Sequence, residues 1–274
     1  MLRQSSELIG YSVRAKDGLI GTVSDLLFDD ESWGLRWAVV DTGEWLSGRE
    51  VLLPPSAFGM PDVERRHFPM DLTREQIENS LELSEHEPVS RQKETELYSH
   101  YGWLPYWYPG TDPLVGAPGY PGHVPLPGGA GPAVPPTAGG PGRMPPEAVE
   151  GRPEGADIQS DLAGEPHLRS IREIAEYYVH ATDGDIGHVE EFLIEDGSWT
   201  IRYLVIDTRN WWPGKMVLIA PEWIDRIDWS DEHVHVRQTR EQIRTSPEYD
   251  PSASVERTYE ERLHQHYERP NYWE

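Results

Sequence analysis

The chain has no cysteine, few cations and no long apolar run. Without cysteine there is no disulfide, no thiolate nucleophile and no thiolate metal site. Its 24 Lys and Arg face 48 Asp and Glu, for a net charge of −24. The excess is spread out, at −9 for residues 1–103, −5 for 104–167 and −10 for 168–274. No segment is basic, which argues against direct binding of nucleic acid or an anionic membrane, since both rest on cations that displace counterions from phosphates. No stretch approaches the ~18–20 apolar residues of a membrane span, and the opening MLRQSSELIG lacks the apolar run of a signal peptide. The expectation is a soluble cytoplasmic protein, able at most to associate peripherally with a membrane complex.

What the chain does have is a sentence written twice. WAVVDTGEWLSGREVLLPP at 37–55 is answered by YLVIDTRNWWPGKMVLIAP at 203–221, an offset of 166. The offset holds without a gap: DGLIG at 17–21 meets DGDIG at 183–187, Trp33 meets Trp199, Arg36 meets Arg202, and TREQI at 73–77 meets TREQI at 239–243. His100-Tyr101 meets His266-Tyr267. An ungapped register of about a hundred residues marks a duplication. Between the copies, residues 104–166 hold more than half of the 25 prolines, with no apolar periodicity, and read as a disordered or extended linker. The chain therefore divides into repeat 1 at 2–80, a helical and aromatic extension at 81–103, the linker at 104–166, repeat 2 at 168–246 and a tail at 247–274.

Each copy reads as short strands. Tyr11, Val13 and Ala15 alternate with polar residues, and Asp17-Gly18 supplies a hairpin turn. Ile20 to Phe28 gives a second strand. In LRWAVV, Leu35, Trp37 and Val39 form the inward face, with Arg36 expected to look outward. Val51 to Leu53 forms another strand, ended by Pro54-Pro55. Val234 and Val236 alternate in HVHVRQ, whereas HFPMDL in repeat 1 carries Pro69, a mark of an edge or bulged strand. Thr73 with Gln76 and Thr239 with Gln242 have the spacing of a capping box, opening a short helix near Ser80 or Ser246. Five or six strands in about 70 residues predict a mainly β fold of two small antiparallel barrels, each followed by a short helix. Barrels of this size bury little surface, so the copies are expected to pack together as a pseudo-twofold pair.

Chemical motifs are scarce. There is no GxxxxGK[ST], GxGxxG or GxSxG, which argues against a phosphate loop or a serine-hydrolase elbow. His233 and His235, at i and i+2 on a strand, could form half of a metal site, but the equivalents His67 and Pro69 break the pair, and surface histidines on a polar face are the plainer account. Asp41-Thr42 and Asp207-Thr208 sit at strand ends before turns, where side-chain bonds to the backbone explain them. No catalytic, cofactor-binding or metal-binding residue is assigned. The candidate partner contacts are aromatic: Trp103, Tyr106, Trp107 and Tyr108 leaving repeat 1, Tyr267, Tyr272 and Trp273 leaving repeat 2, and Trp45 and Trp211 in the repeated turns. The alternative for the tails is that each folds back and caps its barrel.

The DGxIG turn, the strand near the tryptophan, the VVDT strand end and the V-L-[IL]-x-P strand resemble the PRC-barrel domain in both copies, and TREQI resembles the helix that often follows. The resemblance covers about 75 residues of each copy. It implies a small β-barrel used as an adaptor, as in the cytoplasmic domain of the photosynthetic reaction centre H subunit and in ribosome maturation factors. This chain shows neither the membrane helix of the former nor the preceding domain of the latter. A non-enzymatic protein–protein interaction module with no cofactor is the first reading. A reaction-centre or electron-transfer accessory, and a small-ligand binder or enzyme at the interface of the copies, are the alternatives.

Overall fold

A computed structural model describes residues 1–78, 91–101, 167–208 and 214–273. It is mainly β, with two sheets and short helices. Repeat 1 runs through β1 (Leu2–Gln4), α1 (Ser5–Leu8), β2 (Ser12–Ala15), β3 (Gly18–Asp29), β4 (Leu35–Asp41), β5 (Glu50–Leu53), β6 (His67–Pro69), α2 (Arg74–Glu78) and α3 (Arg91–Tyr101). Repeat 2 runs through β7 (Leu168–Ser170), α4 (Ile171–Ile174), β8 (Tyr178–Ala181), β9 (Gly184–Glu195), β10 (Thr200–Asp207), β11 (Met216–Ile219), β12 (Ile224–Asp228), β13 (His233–Val236), α5 (Arg240–Thr245) and α6 (Arg257–His266). The offset of 166 carries β1 onto β7, β3 onto β9 and α3 onto α6, so the duplication extends to the last helix. The linker read at 104–166 lies outside the described residues.

The chain forms two compact units, one of residues 1–11, 22–39 and 169–274, the other of residues 12–21 and 40–168. In the first, the sheet order is β11-β10-β9-β8-β13-β12, with β1 also paired to β9. The strands beside β11 and β12 pair antiparallel, but β13 runs parallel to β8. The all-antiparallel expectation is thus corrected. Pairs β8/β9, β9/β10, β10/β11 and β12/β13 each reverse direction, while the 3-10 turn Pro221–Trp223 bends the chain without reversing it, so β13 returns in the direction of β8. β6 pairs parallel with β2 for the same reason, at the edge of the order β5-β4-β3-β2-β6, where Pro69 loses no ladder bond to a further strand.

β11 and β12 end the path yet are only the four residues 220–223 apart. Six flat strands would put them about 24 Å apart at ~4.8 Å spacing, and five residue steps reach at most roughly 18 Å. The sheet must therefore curl. Among the described residues no ladder joins its two ends.

The repeated residues of the opening motif are structural. A Cβ on Gly21 would lie 2.0 Å from the Asp41 carbonyl oxygen, and one on Gly187 would lie 1.9 Å from that of Asp207, so the second glycine of DGxIG is where a neighbouring strand's backbone passes. Thr42 Oγ1 donates to the Arg49 carbonyl at 2.6 Å and Thr208 Oγ1 to that of Lys215 at 2.7 Å, closing the turn after each DT. Asp41 Oδ1 accepts from the Gly43 N–H at 2.8 Å. The capping box is present at Thr239, with both of its bonds, and Asp17 and Asp183 accept from the first N–H of α2 and α5 at 2.8 and 2.7 Å. His100 and His266 each bond a carbonyl of the third residue of the same short helices, Gln76 at 2.9 Å and Gln242 at 2.7 Å.

Arg36 departs from expectation. It is 8% exposed and donates to Asp29 at 2.9 Å, because the adjacent β3 presents a carboxylate beside it that pays for its burial. Arg202 and Glu195 repeat the pair at 2.9 and 2.5 Å.

Within the first unit the repeats exchange their opening segments. β1 of repeat 1 lies on β9 of repeat 2, Leu2 opposite Glu195 and Gln4 opposite Leu193, while β7 of repeat 2 pairs with β3 of repeat 1. Arg3 reaches Asp196 at 2.8 Å, and its equivalent Arg169 reaches Asp30 at 3.0 Å. Trp33 and Trp199, both with positive φ, accept through their carbonyls from Ile201 and Leu35 N–H, each at 2.8 Å. Gly34 bridges Thr200, its own equivalent under the offset, as a local twofold requires. The carboxylate of Glu191 accepts from Ser5 Oγ and the Ser6 N–H, and that of Asp25 from Ser170 Oγ at 2.5 Å and the Arg172 N–H at 3.4 Å. Each acid thus holds the first turn of the other repeat's small helix. Burial raises the Asp25 pKa, against the lowering effect of its Ser170 bond.

Candidate functional site

The aromatic tail of repeat 2 packs inward. Tyr267 is buried with its ring 4.8 Å from Trp223, and burial pushes its pKa up to about 12. Tyr272 donates to Glu260 at 2.9 Å, and the Arg202 guanidinium lies 4.4 Å from the centre of its ring. Arg257 covers Trp273 at 3.9 Å. Beneath them α6 turns Glu260 and His264, 4% and 1% exposed, onto Tyr203 of β10: its hydroxyl donates to Glu260 at 3.1 Å and lies 2.9 Å from His264 Nε2. His264 Nδ1 faces the Pro270 carbonyl at 2.7 Å, which can only accept, so Nδ1 carries a proton. This is the packing expected of a tail that folds back. Trp45 is half-buried, with the Arg74 guanidinium 4.4 Å from its ring centre. Trp103, Tyr106, Trp107, Tyr108 and Trp211 lie outside the described residues.

A different surface stands out on the outward face of the repeat 2 sheet. In β8, Val179 and Ala181 point to the core, so Tyr178 and His180 point out. Their parallel partners in β13 are His233 and His235, with Val234 and Val236 inward. On the other flank, β9 sets Asp185 opposite His180 and His188 opposite Tyr178. Three histidines and a tyrosine thus form a two-by-two grid. The His180 and His235 rings are 5.3 Å apart, His233 and His235 6.2 Å, and Tyr178 stacks on His233 at 5.6 Å. Tyr178 is 57% exposed, an uncommon state for an aromatic ring.

His180 Nδ1 donates to the Asp185 carboxylate at 2.6 Å, and His233 Nδ1 donates to the Asp231 carbonyl. Desolvation lowers the His235 pKa, helped by Arg226, His180 and His233 and opposed by Asp228. Beside the pair lies an open groove of about 370 Å³ lined by His180, Thr182, Asp225, His235 and Arg237. Farther along the same face, one donor atom each from His188, Glu190 and Asp207 lie within 4.8 Å of one another.

Residues 2–77 match the family model of the PRC-barrel domain. The chain carries a PRC-barrel domain. No curated protein matches the chain. Repeat 2 shares its register of strands, turns and ion pairs with repeat 1. Among the described residues no helix is long and apolar enough to cross a membrane.

Set on the PRC-barrel repeat, the histidine face is a departure. At the positions of Tyr178, His180, Asp185, His188 and His235, repeat 1 has Ser12, Arg14, Leu19, Thr22 and Pro69; only His67 persists, at the position of His233. The i, i+2 spacing of His233 and His235 was visible in the sequence. His180 was missed because its neighbour is 55 residues away, across a parallel pairing that only the fold reveals.

Proposed function

We propose that the chain is a non-enzymatic protein–protein interaction module: two PRC-type barrels coupled by exchanged opening segments, working in the cytoplasm and presenting the outward face of repeat 2 to a protein partner. One observation carries the reading. The repeats keep the same core, turns and exchanged ion pairs, yet on the outward face five of six aligned positions differ, and the aromatic ring among them is exposed. Buried aromatics maintain a fold, whereas an exposed tyrosine set among imidazoles is the kind of anchor that interfaces use. The inward packing of Tyr267, Tyr272 and Trp273 supports moving the search for contacts from the tail to this face.

A photo-crosslinking residue placed at Tyr178, and in a parallel sample at Ser12, tests this in the native cell. A discrete crosslinked protein from position 178 and none from position 12 is the expected outcome. Equal labelling from both, or none from either, would sink the assignment.

A further inference from the structure

We propose that His180, His235 and His233 form a binding site for a divalent transition-metal ion of borderline softness, with zinc as the reference case. The proposal goes beyond the interaction reading and stands whether or not Tyr178 contacts a protein.

The argument starts from which nitrogens are committed. A carbonyl can only accept, so the His233 Nδ1 that faces Asp231 carries the proton, and in the neutral ring Nε2 holds the lone pair. His180 Nδ1 likewise faces an oxygen of the Asp185 side chain, so when that nitrogen carries the proton of the neutral ring its Nε2 holds the lone pair. The strand order places Asp185 on β9 at one flank of His180 and His235 on β13 at the other. The two nitrogens of an imidazole point in diverging directions, so the carboxylate that grips Nδ1 turns Nε2 toward the His235 side. A carboxylate on the far nitrogen is the usual support of a metal-bound histidine: it fixes the tautomer and raises the basicity of the ligand atom.

Distances agree. With a metal–nitrogen bond of ~2.0–2.1 Å and tetrahedral angles, the centres of two coordinated imidazole rings sit roughly 5 Å apart. His180 and His235 are at 5.3 Å, already tilted by 59°. His233 lies 6.2 Å from His235 with its ring stacked on that of Tyr178, so it joins the same ion only after a change of rotamer. The open groove leaves the fourth position to water or to a side chain of a partner. Neutral imidazoles without cysteine suit zinc, copper(II), nickel and cobalt over calcium or magnesium, which take oxygen. Repeat 1 supplies the control within one molecule: His67 stands there with Arg14 and Pro69 in place of the other two ligands.

The test uses the purified full chain, freed of metal by chelator, titrated with Zn²⁺ by calorimetry and with Co²⁺ by visible absorption. One ion per chain is expected, with the intense cobalt bands of a tetrahedral nitrogen-rich site. H180A and H235A should each abolish the bands or weaken binding at least about tenfold, and D185N should weaken it by roughly 10- to 100-fold. H188A and H67A should change neither. The variants sit on an outward face, and circular dichroism of each checks that the fold is kept. No saturable uptake of either metal, or uptake that survives H180A and H235A, overturns the proposal; loss in H188A instead moves the ion to the His188, Glu190 and Asp207 cluster and overturns it equally.

Discussion

Repeat 1 and repeat 2 agree in their turns, their exchanged segments and their buried ion pairs, and they part on the outward face and beneath the last helix. Gly21 matches Gly187, Thr42 matches Thr208, the Arg36–Asp29 pair matches Arg202–Glu195, and Arg3–Asp196 matches Arg169–Asp30. Where they differ, repeat 2 has gained chemistry. Its outward face has Tyr178, His180, His188 and His235 for Ser12, Arg14, Thr22 and Pro69, and under α6 it has Tyr203 and His264 for Trp37 and Tyr98. A duplicated fold is free to change where no backbone passes and no partner strand depends on the side chain. Conserved geometry therefore marks what both copies need to fold, and divergence marks where that need ends.

The hardest test of the shared part is at the DGxIG glycine. In Gly187→Ala the new methyl would overlap the Asp207 carbonyl oxygen, at a φ of +153° that L residues rarely adopt. β9 and β10 would have to separate to admit it. The expected cost is about 4 kcal/mol or outright failure to fold, at the upper end for single substitutions. Gly21→Ala, against Asp41, should cost a similar amount. Chemical denaturation of both variants checks this, and a loss below about 1 kcal/mol in either would show that the copies do not share the constraint.

The diverged buried network comes next. Tyr203→Phe removes the hydroxyl that Glu260 and His264 both use, leaving two buried polar atoms each short of a bond. The expected destabilisation is about 1–3 kcal/mol. Trp37→Phe, at the equivalent buried position of repeat 1, is the matched variant for the comparison. Unchanged denaturation midpoints for Tyr203→Phe would mean that water replaces the hydroxyl and that the tail is not held by this network.

Much of the shared part was legible from sequence for a simple reason: the determinants are local. The DG hairpins, the strand-ending prolines and the Thr-to-Gln capping box act within a few residues, and the offset of 166 made each count twice. The edge position of the strand at Pro69 followed from its missing N–H. What was not legible depended on distant partners. Arg36 looked like an outward residue of an alternating strand, because nothing near it announces Asp29 across the hairpin. LRQ and LRS are too short to show a strand period, so the exchange of β1 and β7 was invisible. The grid of His180, His233 and His235 needed the parallel pairing of β8 with β13, which follows from the bend at Pro221 and from no pattern in either strand.

The exchanged ion pairs give the finest test of the comparison. If the opening segments are related by a local twofold, the coupling between Arg3 and Asp196 must equal that between Arg169 and Asp30. The side chains are 14% and 18% exposed in the first pair and 25% and 11% in the second, so each is screened alike and each should be worth about 1 kcal/mol, near the top of the range for pairs that still touch water. Two double-mutant cycles to alanine, read by urea denaturation, measure the two couplings separately. Equal values support an exchange that is balanced in both directions. A coupling confined to one pair would mean that one segment is clamped while the other merely lies in place, and the stacking of Arg169 on Trp229 at 3.9 Å, for which repeat 1 has Val63 at the tryptophan position, names the side on which any excess should fall.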